Sequence, residues 1–253
     1  MITFLVEVDA GGDFAHDFTW SIYKSVNYHL WYHQKNTNYK LVKVKSKNEK
    51  EIFTYNIGNQ HVVPIGSVEF VHRYMKMKGL DIPNPLNVPE ELRKSEFLKR
   101  DVFESSLDEL DWNRSWFIKP VSDIKKFTGF VAKDLESAKL FEPNIKDDEI
   151  LFVSDPINIV SEYRCIIHKN ELQAIQYYQG EFTIFPNVDM IKKIISDYKD
   201  SPPTYTLDLG ITEKGETIIV ELHHFYSCGL YGFNDWYNLP KMFSDWWYWY
   251  CKK

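Results

Sequence analysis

No apolar run in the 253-residue sequence approaches the ~20 residues that a membrane-spanning helix needs, so no membrane segment is expected. The opening stretch, MITFLVEVDAGGDF, is acidic where a secretory leader would be basic, and its apolar part is short; it does not read as a signal peptide. Cysteine is scarce. Cys165, Cys228 and Cys251 are odd in number and form no CxxC pair, which excludes a disulfide framework and fits a reducing, cytoplasmic setting, the host cytoplasm if the protein is viral. An excess of positive charge is also lacking. The 30 Lys and Arg face 36 Asp and Glu, for a net charge of −6, which argues against a general nucleic-acid binder but not against a local basic cleft. Neither internal repeats nor low-complexity tracts are visible.

What the chain does have is a 44% hydrophobic content and a high 16% of aromatic residues, enough for a sizeable core with ring-rich clefts. Residues 2–8 read as an opening strand followed by a Gly11-Gly12 loop. Residues 39–45 alternate as a half-buried strand, and 50–56 are candidates to pair with it. The aromatic run 20–34 suits a helix or a strand equally. Residues 61–65 form a short strand, and a helix follows with Ser67 as N-cap and Gly79 as stop. Pro83, Pro85 and Pro89 mark a linker, which divides a lobe at 1–88 from a domain at 89–253. Residues 89–110 look helical. Strands follow at 116–120, at FVAKD, at 150–153 and at 157–168. The last pairs with 171–178 across the Lys169-Asn170 turn. An amphipathic helix at 188–199 precedes two strands, 204–211 and 216–222, joined by a turn ending in Gly215.

Three groups of polar residues carry chemistry. In the terminal hairpin, alternation puts Asp208 on the face opposite Leu207 and Leu209, and gives Ile219 and Glu221 a common face. Two carboxylates on adjacent apolar strands repel each other and are costly to bury. A divalent cation resolves both problems, since Mg²⁺ takes one or two protein carboxylates and completes its shell with phosphate oxygens and water. A lysine bridge to one acid with the other exposed resolves them as well, and spacing does not choose between the two. Lys119 at a strand end, and Lys125 and Lys126 in the loop closed by Gly129, suit a phosphate clamp or an ordinary solvated loop. Arg164, beside Glu162 on an apolar strand, calls for an anion or a surface pair. The Gly66-Ser67 turn suits a substrate anion or a simple helix cap.

The order of these pieces is more specific than any one of them. FIKPVSDIKKFTGFV (117–131), LFVSDPINIVSEYRCII (151–167) and TYTLDLGITEKGETIIVELHHFYSCGLYG (204–232) together resemble the ATP-grasp superfamily, in particular a small, often phage-encoded clade related to RimK-type ligases. The resemblance spans about residues 60–245. It implies an α+β ATP-grasp fold, with two α+β subdomains gripping the nucleotide after an N-terminal α/β substrate lobe. It implies ATP and Mg²⁺ as cofactors. By position, Lys119 would contact the α- or β-phosphate, while Lys125 and the loop to Gly129 would cover the phosphates. Phe152, Val153 and Ser154 would form the adenine hinge, with Asp155 near the ribose. Arg164 would face the γ-phosphate or the acyl-phosphate, and Arg100 would add a further phosphate contact. Arg164 and Lys125 would be the catalytic side chains. Asp208 and Glu221 would hold the metal.

One position departs from the pattern. The superfamily commonly shows Glu-x-Asn where this chain has Glu221-Leu222-His223. Histidine ligates metals but Mg²⁺ prefers oxygen, so His223 contacts phosphate, alters a metal position or impairs activity. Zinc is not expected, because no third ligand stands at a suitable spacing from His223 and His224. The activity implied is ATP-dependent joining of a small-molecule or peptide carboxylate to an amine through an acyl-phosphate. A non-catalytic nucleotide-binding protein and an enzyme modifying a nucleotide or nucleic acid remain the rival readings.

Overall fold

The computed structural model describes residues 1–34, 36–45, 61–121, 126–226 and 228–252. The pairing expected for 50–56 and the position of Lys125 lie outside these. Strand β1 (Ile2–Val8) is the centre of a parallel sheet ordered β2-β1-β3, with β2 at Tyr39–Lys45 and β3 at Val62–Ile65. Its position explains why six of its seven residues are buried, as in strands covered on both faces. Pro64 is tolerated because β3 is an edge strand. The undecided aromatic segment is a helix, α1 (Asp17–Tyr32). It buries Phe18, Ile22, Ser25, Val26 and His29 at helical spacing, and the Thr19 hydroxyl donates to the His16 carbonyl at its start. Helix α2 (Val68–Met77) starts where expected, with the Ser67 hydroxyl accepting the Phe70 N–H at 3.2 Å, and is followed by Gly79 at φ +70°.

The expectation of a helix over 89–110 is wrong. The segment holds a 3₁₀ turn at Glu90–Leu92, one turn of helix α3 (Ser95–Leu98) and then strand β4 (Val102–Ser105). Interleaved charges mimic a solvated helix there, but Lys99 at φ +54° ends α3, and Val102–Ser105 is taken up by a sheet edge. Arg100 therefore stands between a helical turn and a strand, not in a helix.

Two antiparallel four-stranded sheets follow. The first is ordered β4-β7-β5-β6, with β5 at Trp116–Pro120, β6 at Phe130–Ala132, helix α4 at Leu135–Phe141 and β7 at Leu151–Ser154. The second is ordered β11-β10-β8-β9, with β8 at Ile159–His168, β9 at Glu171–Gly180, β10 at Thr204–Thr212 and β11 at Thr217–His224. Lys169 and Asn170 both have positive φ, +53° and +61°, as the tight β8–β9 turn requires. Helix α5 (Val188–Asp197) covers the second sheet, packing Ile191, Ile194 and Ile195 into the cluster that holds Leu207 and Leu209.

The expected common face for Ile219 and Glu221 is also corrected. A bulge between the pairs Asp208–Glu221 and Leu209–Ile219 leaves Val220 unopposed. The bulge turns Ile219 into the core and leaves Glu221 level with Asp208. Helix α6 (Leu239–Tyr250) closes the chain. Its Trp246 and Trp247 are buried in one cluster with Phe4, Phe70 and Tyr74, so the aromatic tail packs onto the N-terminal sheet. No helix among the described residues is long and apolar enough to cross a membrane.

Candidate functional site

Register alone sets three charged residues abreast. Arg164 on β8 pairs with Asp208 on β10, and Asp208 pairs with Glu221 on β11. The Arg164 guanidinium donates from Nε to Asp208 Oδ1 at 2.8 Å and from Nη2 to Oδ2 at 2.7 Å, a bidentate pair with Asp208 only 2% exposed. Glu221 takes a different cation: Lys119, from β5 of the other sheet, donates to Glu221 Oε2 at 2.8 Å. His223 sits between the two acids. Its Nε2 lies 3.0 Å from Glu221 Oε1 and 3.4 Å from Asp208 Oδ2. These are ion-pair distances without hydrogen-bond angles, so this buried nitrogen has no satisfied hydrogen bond.

The electrostatics follow from the chain of contacts. Burial alone would raise the Asp208 carboxyl, but Arg164 and His223 hold it below its ordinary value. Burial pushes Glu221 the same way, and His223 and Lys119 hold it well below the carboxylate range. Burial would lower the His223 imidazole, yet the two carboxylates raise it to about 9. Three cationic side chains thus surround two anionic ones, and the balance favours a further anion.

A cleft of about 430 Å³ opens between the two antiparallel sheets. Lys119, Gly129, Phe152, Ser154, Asp155, Arg100 and Glu221 all line it, so most of the residues singled out from sequence share one space. The Val153 side chain is packed into the core of the first sheet, which leaves only its backbone near the cleft. Gly129 lies close against Phe117: a Cβ there would meet Phe117 Cζ at 2.5 Å, and the ring would have to shift. Arg100 donates to the Leu98 and Ile219 carbonyls, both at 3.2 Å, and has no carboxylate partner among the described residues; burial lowers it to about 10. Asp155 pairs with Arg114 at 2.9 Å.

Arg164 stands apart from that cleft. It lines a second pocket, with His223, that shares no lining residue with the cleft. The Gly66-Ser67 turn is already occupied by the chain itself: the Ser67 N–H donates to the Glu7 carboxylate, which is 6% exposed. Sequence reasoning gave no site role to Glu162, which lines the cleft and accepts a hydrogen bond from Tyr178 at 2.6 Å, although its position two residues before Arg164 was visible. It also missed Tyr231, whose ring lies 4.9 Å from the Arg164 guanidinium. Nothing in the sequence signals that contact.

Once the His223 imidazole gives up its proton, the donor set fits a divalent cation, whose charge takes the place of that proton. One ligand atom each from Asp208, Glu221 and His223 lies within 4.8 Å of the others. Both carboxylates keep lone pairs beyond those given to Arg164 and Lys119, and the unsatisfied Nε2 is aimed into the same space.

The comparisons agree with this architecture. D-alanine–D-alanine ligase from Bacillus anthracis superposes with a TM-score of 0.59 at 12% identity, covering 97% of this chain and 97% of that one. Its complex with ATP matches equally. N5-carboxyaminoimidazole synthetase from Staphylococcus aureus gives 0.53 at 11% identity, over 96% of this chain and 77% of that one. A RimK domain ATP-grasp protein from Sphaerobacter thermophilus gives 0.50 at 12% identity, over 97% and 99%. At such identities these are likenesses of fold. No curated protein matches the chain in sequence. The profile of an ATP-grasp domain, the second family of its clade, matches residues 97–237, more than half of the chain and the span that carries both antiparallel sheets, and the chain belongs to that ATP-grasp family.

Proposed function

We propose that the protein is an ATP-dependent ligase that joins a carboxylate to an amine through an acyl-phosphate. The observation that carries this reading is the charged row that joins two spaces. Its Lys119 and Glu221 end lines a nucleotide-sized cleft together with Arg100 and Gly129, and its Arg164 end lines a separate pocket. Residues 89–253 would hold the nucleotide, and residues 1–88 would contribute to the acceptor side.

In this reading adenine rests against Phe152 and the backbone of Val153 and Ser154, with Asp155 near the ribose. Lys119 turns from Glu221 to a phosphate, and Arg100 gains the anion it lacks. Lys125, outside the described residues, would cover the phosphates from the loop. Glu221, Asp208 and His223 would hold Mg²⁺, which supplies charge neutralisation at the phosphates. The acceptor carboxylate oxygen attacks the γ-phosphorus while the bond from that phosphorus to the departing ADP oxygen breaks. The amine nitrogen then attacks the acyl carbon, the carbon–oxygen bond to phosphate breaks, and the nitrogen gives up a proton to the medium. The protein's part is positioning and charge stabilisation, with Arg164 placed to steady the acyl-phosphate.

The test is a product assay with ATP, Mg²⁺ and a panel of acids and amines. ADP and phosphate in equal amounts support the reading, and AMP as the sole nucleotide product overturns it. His223 beside Glu221 favours one rival, a nucleotide-binding protein without turnover. Thermal stabilisation by ATP with no product across the panel would select that rival.

A further inference from the structure

The pocket on the Arg164 side has a composition that defines its occupant. It encloses about 150 Å³. Val68, Pro85, Leu86 and Cys228 give it an apolar lining, and Arg164, His223, His224, Tyr226 and Gly229 complete it. Arg164 has five N–H donors. Two go to Asp208 and one, from Nη1, to the Gly229 carbonyl at 3.1 Å. Two remain without an acceptor among the described residues, on a side chain that is only 9% exposed. His224, also at the wall, is already engaged: it receives the Trp246 indole N–H at 3.2 Å and contacts the Asn84 carbonyl at 3.1 Å. No aspartate or glutamate lines the space.

We infer that this pocket takes a carboxylate carried on a short apolar stem with no ammonium group beside it. The inference rests on the ligase reading for its role in catalysis, but not for the binding itself. A buried guanidinium with two free donors selects a planar carboxylate in bidentate fashion. The apolar walls cover a stem of a few carbons, since a space of about 150 Å³ accommodates a group the size of benzene. An α-amino acid would bring its ammonium into a pocket without an anion to receive it, and that unpaired charge is penalised. A free aliphatic acid and the side chain of a glutamate within a peptide both satisfy these terms.

The experiment is calorimetric titration of the full chain, first with a non-hydrolysable ATP analogue plus magnesium, then with butyrate, a doubly blocked glutamate (N-acetyl, C-amide) and L-alanine. Butyrate or blocked glutamate should bind at least tenfold more tightly than alanine, and the better of the two identifies the source as free acid or peptide side chain. The control is Gly229→Leu. A Cβ at this position meets Tyr231 at 3.5 Å and Arg164 Nη1 at 3.6 Å, ordinary contacts, so the backbone accepts a side chain here, and the longer leucine should occupy the pocket. It should lower acid affinity at least tenfold with the melting temperature and analogue affinity unchanged. Alanine binding as tightly as butyrate, no acid binding at all, or acid binding that survives Gly229→Leu would each overturn the inference. Failure of the nucleotide titration alone would instead count against the ligase reading, since the acid titrations stand without it.

Discussion

Asp208 and Glu221 face each other directly across the β10–β11 ladder, yet each carboxylate belongs to a different cation. Asp208 is clamped by Arg164 within its own sheet, whereas Glu221 reaches across the cleft to Lys119 on the other sheet. The first contact lies within one sheet and the second joins two; under the proposed function the second would be released when the cleft fills.

The clamp predicts a stability effect that a pure metal ligand would not show. Removing one partner of a buried ion pair costs about 3–5 kcal/mol, while replacing both by apolar groups is often neutral. Asp208→Asn should therefore lose turnover and also lower the urea midpoint markedly. The double variant Asp208→Leu with Arg164→Met should recover most of the stability and none of the activity. Equal midpoints for wild type and Asp208→Asn would show that the pair carries no stability.

Lys119 is 11% exposed in its side chain and shared between Glu221 and the cleft. Lys119→Met should weaken ATP-analogue binding tenfold to a hundredfold, about 1.4–2.8 kcal/mol. Fluorescence titration against wild type measures it. Unchanged affinity would remove Lys119 from the phosphate site.

Much of this was legible in the sequence because the hairpins announce themselves. Alternation and Gly215 located β10 and β11, and Lys169-Asn170 located the β8–β9 turn. The order of Lys119, Arg164, Asp208 and Glu221 identified the family. Three things were not legible, each for a physical reason. The Val220 bulge breaks the alternation that period-two reading assumes. The Arg164–Asp208 pair joins strands 44 residues apart, so no local spacing encodes it. In the segment 89–110 side-chain charge resembles a solvated helix, and only pairing of β4 with β7 makes its end a strand.

His223 sets a pH dependence for the metal-free protein. Burial alone would lower its imidazole, but Asp208 and Glu221 raise it from 6.5 to about 9. A folded value above the unfolded one adds stability that is fully present below about pH 6.5 and is lost as pH rises through about 9, on the order of 3 kcal/mol. Wild type should therefore exceed His223→Gln in urea stability at pH 6, and the difference should vanish by pH 10. A difference that is constant over this range would show that the imidazole does not titrate in the folded state as described.

Magnesium and nucleotide should bind cooperatively. Without nucleotide, Lys119 and His223 already neutralise Glu221, so Mg²⁺ must compete with two cations for the same oxygens. Under the proposed function a triphosphate would draw Lys119 away and supply oxygens of its own, which would free Glu221 for the metal. Because coupling is reciprocal, Mg²⁺ should tighten nucleotide binding by the same factor by which nucleotide tightens Mg²⁺ binding, on the order of 5- to 150-fold. Two variants separate this from simple chelation by the phosphates. Glu221→Gln should reduce the coupling, whereas Lys119→Met, with its competitor removed, should bind Mg²⁺ more tightly than wild type in the absence of nucleotide. Calorimetric titration of Mg²⁺ into each protein, with and without the ATP analogue, measures both. If Lys119→Met leaves metal-only affinity unchanged, the lysine is not what keeps the metal from Glu221.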